Sequence, residues 1–167
     1  MSDQTDADPV AVAREIALRQ LTVRQRTRAE LQAALARKNV PAEAAREVLD
    51  RFTEVGLLDD AAFARDWVAA GGRRLRGRRV LAQELAHKGV SAELIDEALA
   101  AGDPSDDLEV ARELARRKLR GMAGLERQVR YRRLTGSLAR RGFASFVIAR
   151  VVREVLDEVD LPEPEVE

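Results

Sequence analysis

The chain has 167 residues, 29 of them basic and 29 acidic, so its formal net charge is zero; that length fits one ordinary domain or a short array of small units. No Cys and a single His, His87, exclude a disulfide framework, a thiol nucleophile, Cys-ligated zinc and a two-His metal site within one chain, and leave any Ser-His-Asp triad dependent on His87. No stretch of about 18 apolar residues is present to span a membrane, and Met1–Asp8 carries Asp3, Asp6 and Asp8 without a cation, the reverse of a signal peptide, so a soluble, cytoplasmic protein is expected. Ala, Leu, Arg and Glu dominate, the aromatic residues are few, and this composition favours helix.

In chain order, Asp8-Pro9 reads as an N-cap with Pro in the first turn and opens a helix over 9–20. Thr22 and Gln25 have capping-box spacing and predict a second helix over 23–38, and Pro41 fits the first turn of a third over 41–55. Asp59-Asp60 follow Gly56-Leu57-Leu58 and precede an apolar helical run, so they read as caps of a helix over 59–73 rather than as Mg²⁺ ligands. Helices over 75–88 and 91–101 follow, the latter with Ser91 as N-cap. Asp103-Pro104 opens a helix over 105–120, and two more are expected over 126–141 and 144–158, where Ala144 is a poor cap. No segment has the alternation of a strand.

The centre of the chain repeats. Leu31, Leu35, Lys38, Val40, Glu43 and Leu49 recur as Leu81, Leu85, Lys88, Val90, Glu93 and Leu99, and again as Leu134, Leu138, Arg141, Phe143, Phe146 and Val152. The turn residue of each unit is Asn39, Gly89 or Gly142, types that tolerate the left-handed stop of a helix. A preceding helix recurs too: Asp60, Phe63, Ala64 and Trp67 match Asp107, Val110, Ala111 and Leu114, and Val12, Ala13 and Ile16 fit the same frame. Trp67, one turn from Phe63, is expected in the core. The predicted fold is therefore all-α, an elongated, curved array of three tandem three-helix repeats at 9–55, 56–103 and 104–158, between a disordered acidic tail at 1–8 and an acidic tail at 159–167. A three-helix unit of this size is marginal alone and gains stability by stacking on its neighbour.

The zero net charge hides segregation. Arg73, Arg74, Arg76, Arg78 and Arg79 form a run without an acidic residue. Arg112, Arg116, Arg117, Lys118, Arg120, Arg127, Arg130, Arg132 and Arg133 face only Glu113 and Glu126 in the same stretch, whereas the sequence from Glu154 onward is acidic. Arg24, Arg26 and Arg28, Arg73 to Arg79, and Arg127 to Arg133 sit at equivalent junctions of the three units, where regular stacking would align them into a stripe for phosphate or for an acidic groove on a protein. Tyr131, between Arg130 and Arg132, is placed to stack a base or to pack at a rim. The blander reading of any one of these arginines is a solvated helix face paired with Glu one turn away. The candidate binding residues are thus Arg73, Arg74, Arg76, Arg78, Arg79, Arg116, Arg117, Lys118, Arg120, Arg127, Arg130, Tyr131, Arg132 and Arg133, with no catalytic residue, metal or cofactor expected. His87 beside Lys88 fits a dipole-complementing cation at a helix end, and Gly71-Gly72 lacks the strand and the Lys-Ser/Thr of a phosphate loop.

Gly56-Leu57-Leu58-Asp59-Asp60 with Phe63-Ala64, then Glu84-Leu85 and Lys88-Gly89-Val90, resemble the RecX family of recombination regulators. Arg140-Arg141-Gly142-Phe143 resembles that family's C-terminal signature, and Arg24-x-Arg26 with Glu30-Leu31 its opening segment, so that the resemblance covers about residues 12 to 157. The resemblance implies a non-catalytic partner of the RecA recombinase filament on single-stranded DNA, one that limits its ATPase, strand exchange and stimulation of repressor self-cleavage. A monomer is expected, with possible direct contact to DNA. Asn39 departs from the glycine usual in that turn. Alternatives are a helical DNA-binding module acting independently of RecA, which would bind duplex DNA with a sequence preference, and a protein scaffold with no DNA affinity. An enzyme fits least.

Overall fold

A computed structural model describes residues 8–160. The acidic segments at 1–7 and 161–167 lie outside the described residues, as does the expectation of disorder there. Among the described residues there are nine α-helices and no strand. They are α1 (Pro9–Val23), α2 (Arg28–Arg37), α3 (Ala42–Glu54), α4 (Asp60–Arg73), α5 (Arg78–His87), α6 (Ala92–Ala100), α7 (Pro104–Leu119), α8 (Arg127–Arg140) and α9 (Ser145–Asp160), with a 3₁₀ turn at Arg120–Met122 after α7. No helix is long and apolar enough to cross a membrane.

The helix starts follow from side chains that satisfy the first backbone N–H groups. Asp8 accepts from the Val10 N–H at 3.0 Å, with Pro9 in the first turn. Asp59 accepts from the Ala62 N–H at 2.8 Å, and the Ser91 hydroxyl lies 3.4 Å from the Leu94 N–H. The predicted start of α2 is corrected. The Thr22 hydroxyl donates to the Leu18 carbonyl inside α1, which continues to Val23, and the capping box is Thr27 with Glu30. Glu30 carries the carboxylate that Gln25 lacks, and it reaches back to the Thr27 N–H at 3.2 Å while Thr27 accepts from the Glu30 N–H at 3.1 Å. Arg24 and Arg26 therefore precede α2, and only Arg28 lies on it. The start of α5 also moves, to Arg78, because Leu75 takes a left-handed conformation at φ 55° and ends α4.

The chain divides into two compact units. The first comprises the residues up to Arg65 together with Leu85–Ile95, and the second Asp66–Glu84 with the residues from Asp96 on. In the first, α1, α2 and α3 enclose Ala13, Ala17, Leu31, Leu35, Ala45, Val48, Leu49, Phe52 and Leu58. In the second, α7, α8 and α9 enclose Leu114, Leu134, Leu138, Phe143 and the apolar stripe Val147, Ile148, Val151, Val152, Val155 and Leu156 of α9, with Leu75 added from the loop before α5. Each fully buried side chain of this kind contributes about 1.5–3 kcal/mol. Trp67 differs from expectation: it is half-buried, with its indole N–H donating to Glu84 at 2.9 Å.

Helices α2, α5 and α8 end alike. Asn39, Gly89 and Gly142 have φ of 57°, 78° and 85°. The N–H groups of Val40, Val90 and Phe143 reach back to the carbonyls of Leu35, Leu85 and Leu138 at 3.2, 3.1 and 3.3 Å, and the same leucines anchor the two cores or lie buried. This is the Schellman arrangement with its apolar contact. Two of the turns also dock. In the first unit the Lys88 carbonyl accepts from the buried Thr27 hydroxyl at 2.6 Å, and a Cβ on Gly89 would lie 2.3 Å from the Ala29 Cβ. In the second, the carbonyls of Arg141 and Gly142 accept from the N–H groups of Gly77 and Arg79 at 2.8 and 3.2 Å, and a Cβ on Gly142 would lie 2.5 Å from the Val80 nitrogen. Asn39 is the earliest of the three turns and, among the described residues, has no such docking bond to an earlier helix. Asn39 takes the left-handed conformation at φ 57°, which asparagine tolerates better than most residues with a Cβ.

Acidic residues complete the same junctions. Asp60, on α4, accepts from the backbone N–H of Arg28, the first residue of α2, at 2.9 Å. Asp107, on α7, accepts from the backbone N–H of Arg78, the first residue of α5. Burial raises the pKa of both carboxyls, and the hydrogen bond and positive charge of Arg28 or Arg78 oppose it. Beside the first junction Lys88 pairs with Glu30 at 3.1 Å and lies 5.8 Å from the centre of the Phe63 ring. Burial pushes the Glu30 carboxyl up, but hydrogen bonds from Arg24, Lys88 and the Thr27 N–H outweigh it and leave its pKa lowered.

Candidate functional site

All the candidate binding residues fall in the second unit, whereas Arg24, Arg26 and Arg28 fall in the first. Arg73 ends α4, Arg74 and Arg76 lie in the loop shaped by Leu75, and Arg78 and Arg79 open α5. Arg116, Arg117 and Lys118 form the last turn of α7, Arg120 begins the 3₁₀ turn, and Arg127, Arg130, Tyr131, Arg132 and Arg133 lie on α8.

Several of these cations are already engaged. Arg76 pairs with Glu84, the carboxylate that also receives the Trp67 indole N–H. Arg116 makes a two-pronged pair with Glu158, at 2.8 and 3.2 Å. Arg127 holds both Asp157 and Asp160, and Arg130 reaches Asp160 at 2.9 Å. Arg112, outside the candidate set, binds Glu154 at 2.8 Å. The pairs 112–154 and 116–158 advance by the same four residues, as parallel helices α7 and α9 require. The Arg150 and Arg112 hydrogen bonds lower the pKa of Glu154. The Arg127 bond lowers that of Asp160 against a smaller opposing desolvation, with Arg130 adding to it. The acidic C-terminal half of α9 thus pairs with Arg112 and Arg116 of α7 and with Arg127 and Arg130 of α8.

What is left is a subset. Arg73, Arg79, Arg117, Lys118, Arg120, Arg132 and Arg133 are exposed and make no side-chain ion pair among the described residues. Arg74 is exposed as well, and its carbonyl accepts from the Arg141 guanidinium at 3.0 Å, tying the loop to the end of α8. The Arg78 guanidinium is half-buried and acts electrostatically on Asp107. Tyr131 is 41% exposed beside Arg132. An open cleft of about 510 Å³ between α7, α8 and α9 is lined by Arg116, Arg120 and Arg130 with Leu119, Met122 and Val155. Unpaired guanidinium groups on helix ends suit polyanions and acidic surfaces.

Charge alone did not single out Phe146, which is 72% exposed in the first turn of α9. Its signal was in the repeat: the equivalent residues are Glu43 and Glu93.

The nine helices and their docking turns define an all-helical protein built of tandem three-helix domains. Models of the RecX first, second and third three-helix domains match residues 13–52, 59–99 and 105–152. Regulatory protein RecX of Streptomyces coelicolor is 52% identical over 153 residues, covering 90% of this chain and 81% of that one. The RecX of Thermobifida fusca is 46% identical over 164 residues, covering 95% and 88%. The crystal structure of RecX from Lactobacillus salivarius shares the fold, with a TM-score of 0.83 at 21% identity over 89% of this chain and 97% of that one. A second regulatory protein RecX structure superimposes with a TM-score of 0.77 at 27% identity, covering 87% and 72%. The chain belongs to the RecX family of regulatory proteins.

Proposed function

We propose that this protein is a negative regulator of the RecA recombinase, binding the RecA filament on single-stranded DNA and limiting its ATPase, strand exchange and coprotease activities. It acts in the cytoplasm as a monomer, by binding and without catalysis of its own, with residues 9–55, 56–103 and 104–158 as its three structural repeats. Family membership supports the reading, and the observation that carries it to particular residues is the set of exposed cations left over after α9 has neutralised its neighbours.

The contact residues are then Arg73, Arg74 and Arg79 at the α4–α5 junction, Arg117, Lys118 and Arg120 at the end of α7, and Arg132 and Arg133 with Tyr131 on α8. Arg76, Arg116, Arg127 and Arg130 support that surface through their carboxylate partners. The test is the single-strand-dependent ATPase of the cognate RecA with this protein titrated well below one per RecA. Strong inhibition at such ratios is the expected result. No inhibition, with DNA binding shown separately, would replace this reading by a helical DNA-binding module that acts without RecA.

A further inference from the structure

The outward stripe of the third helix changes character between the repeats. In α3 the positions opposite the core are Glu43, Arg46, Glu47 and Asp50, and in α6 they are Glu93, Asp96, Glu97 and Ala100. In α9 the same positions hold Phe146, Ala149, Arg150 and Arg153, all exposed. Residues spaced by three, four and seven lie on one helix face, so a stripe that is acidic twice becomes cationic with an aromatic ring at its head. Phe146 displaces a glutamate from the first turn, where a negative charge favours the helix, and puts its ring into solvent at 72% exposure. Arg153 makes no ion pair among the described residues. Arg150 shares Glu154 with Arg112, so it can turn to another anion while Glu154 keeps a partner.

We infer that this face of α9 is a contact site for single-stranded nucleic acid, on which a base stacks against Phe146 and adjoining phosphates meet Arg150 and Arg153. Guanidinium groups alone would serve an acidic protein surface equally well. The exposed ring at the head of the stripe selects the nucleic acid, because every base offers a face to stack and the contact needs no particular sequence. The inference goes beyond the reading above, since it assigns direct DNA contact to the protein without RecA and to residues outside the surface named there.

The test is fluorescence anisotropy of a labelled oligothymidylate with the full chain, RecA absent, at several salt concentrations. Phe146→Ala is expected to weaken binding about tenfold, the loss of one base stack, and Phe146→Trp to restore it. Arg153→Ala should lower the slope of log affinity against log salt by about 0.7, one phosphate on a single strand. Circular dichroism should be unchanged in all three, because neither side chain belongs to the core. If Phe146→Ala and Arg153→Ala bind the oligonucleotide as the parent does, or if the parent does not bind it, the inference is overturned. Loss of RecA inhibition by Phe146→Ala with oligonucleotide binding intact would also overturn it, in favour of a protein contact, while leaving the proposed regulation of RecA standing. Dependence on Phe146 in a protein that fails to inhibit RecA would support it and refute only the proposed function.

Discussion

Gly142→Ala separates two reasons for a glycine that are usually confounded. At φ 85° a Cβ is strained, which costs about 1–2 kcal/mol for an ordinary residue. At Gly142 that Cβ would also stand 2.5 Å from the Val80 nitrogen and 2.6 Å from its Cγ2. The Arg141–Gly142 turn would have to withdraw from α5, and overpacking of that kind costs about 1–3 kcal/mol. The sum is about 2–5 kcal/mol, a large share of the roughly 5–15 kcal/mol that stabilises a typical protein. Gly124 is the control: its φ is 81° and nothing lies within 4 Å of a Cβ there, so Gly124→Ala should show the strain alone. The entropy an alanine removes from the unfolded chain enters both variants equally. Urea unfolding followed by circular dichroism should move the midpoint of Gly142→Ala down by about 1–2.5 M, at a slope of roughly 2 kcal/mol per M. Equal losses in the two variants would refute the claim that docking, and not only the turn, demands glycine.

Asp107→Ala removes the carboxylate that receives the first N–H of α5 and should cost about 1 kcal/mol, with amide exchange at Arg78 accelerating more than exchange in the core of α9; uniform acceleration would contradict a local cap. Thr27→Val strips a buried hydroxyl of two bonds, one to Lys88 and one from Glu30, and a loss of about 2–3 kcal/mol in thermal unfolding is expected. The lowered pKa values of Glu154 and Asp160 mean that their ion pairs stabilise the fold above the ordinary carboxylate range and that this is lost as the pH falls through the depressed native values. Asp60 and Asp107, with raised values, act in the opposite sense; an Asp160→Asn variant should therefore show a flatter loss of stability on acidification, and an unchanged acid limb would count against the pairs. In the RecA ATPase assay Arg73→Ala with Arg79→Ala should weaken inhibition while Arg76→Ala alone, already committed to Glu84, acts chiefly on stability.

The helices and their ends were largely readable because capping and turn chemistry is local. Asp8-Pro9, Asp59 and the Asn39, Gly89 and Gly142 stops act within a few residues of where they stand. Where two local signals competed, as at Thr22 and Thr27, the stronger box needed Glu30 rather than an amide, and spacing alone chose wrongly. Leu75 in a left-handed turn carried no sequence signal, because its conformation answers to burial among residues of α7 and α9. The fate of the arginines was harder still. Arg116, Arg127 and Arg130 look the same in sequence as Arg117 and Arg132, and only the packing of α9 against α7 and α8 tells which are spent on carboxylates.

The borrowed caps bear on how the chain is made. Helix α2 forms early on the ribosome, yet the acceptor for its first amide, Asp60, lies 32 residues downstream, and the carbonyl for its Thr27 hydroxyl lies 61 residues downstream. At a synthesis rate of about 5–20 residues per second, those 61 residues take roughly 3–12 s, during which the start of α2 has only its own Thr27–Glu30 capping box. Helix α5 waits in the same way for Asp107 and then for Arg141 and Gly142. A message truncated just before codon 141 would keep the Asp107 cap of α5 but lack the Arg141 and Gly142 carbonyls that receive the Gly77 and Arg79 N–H groups.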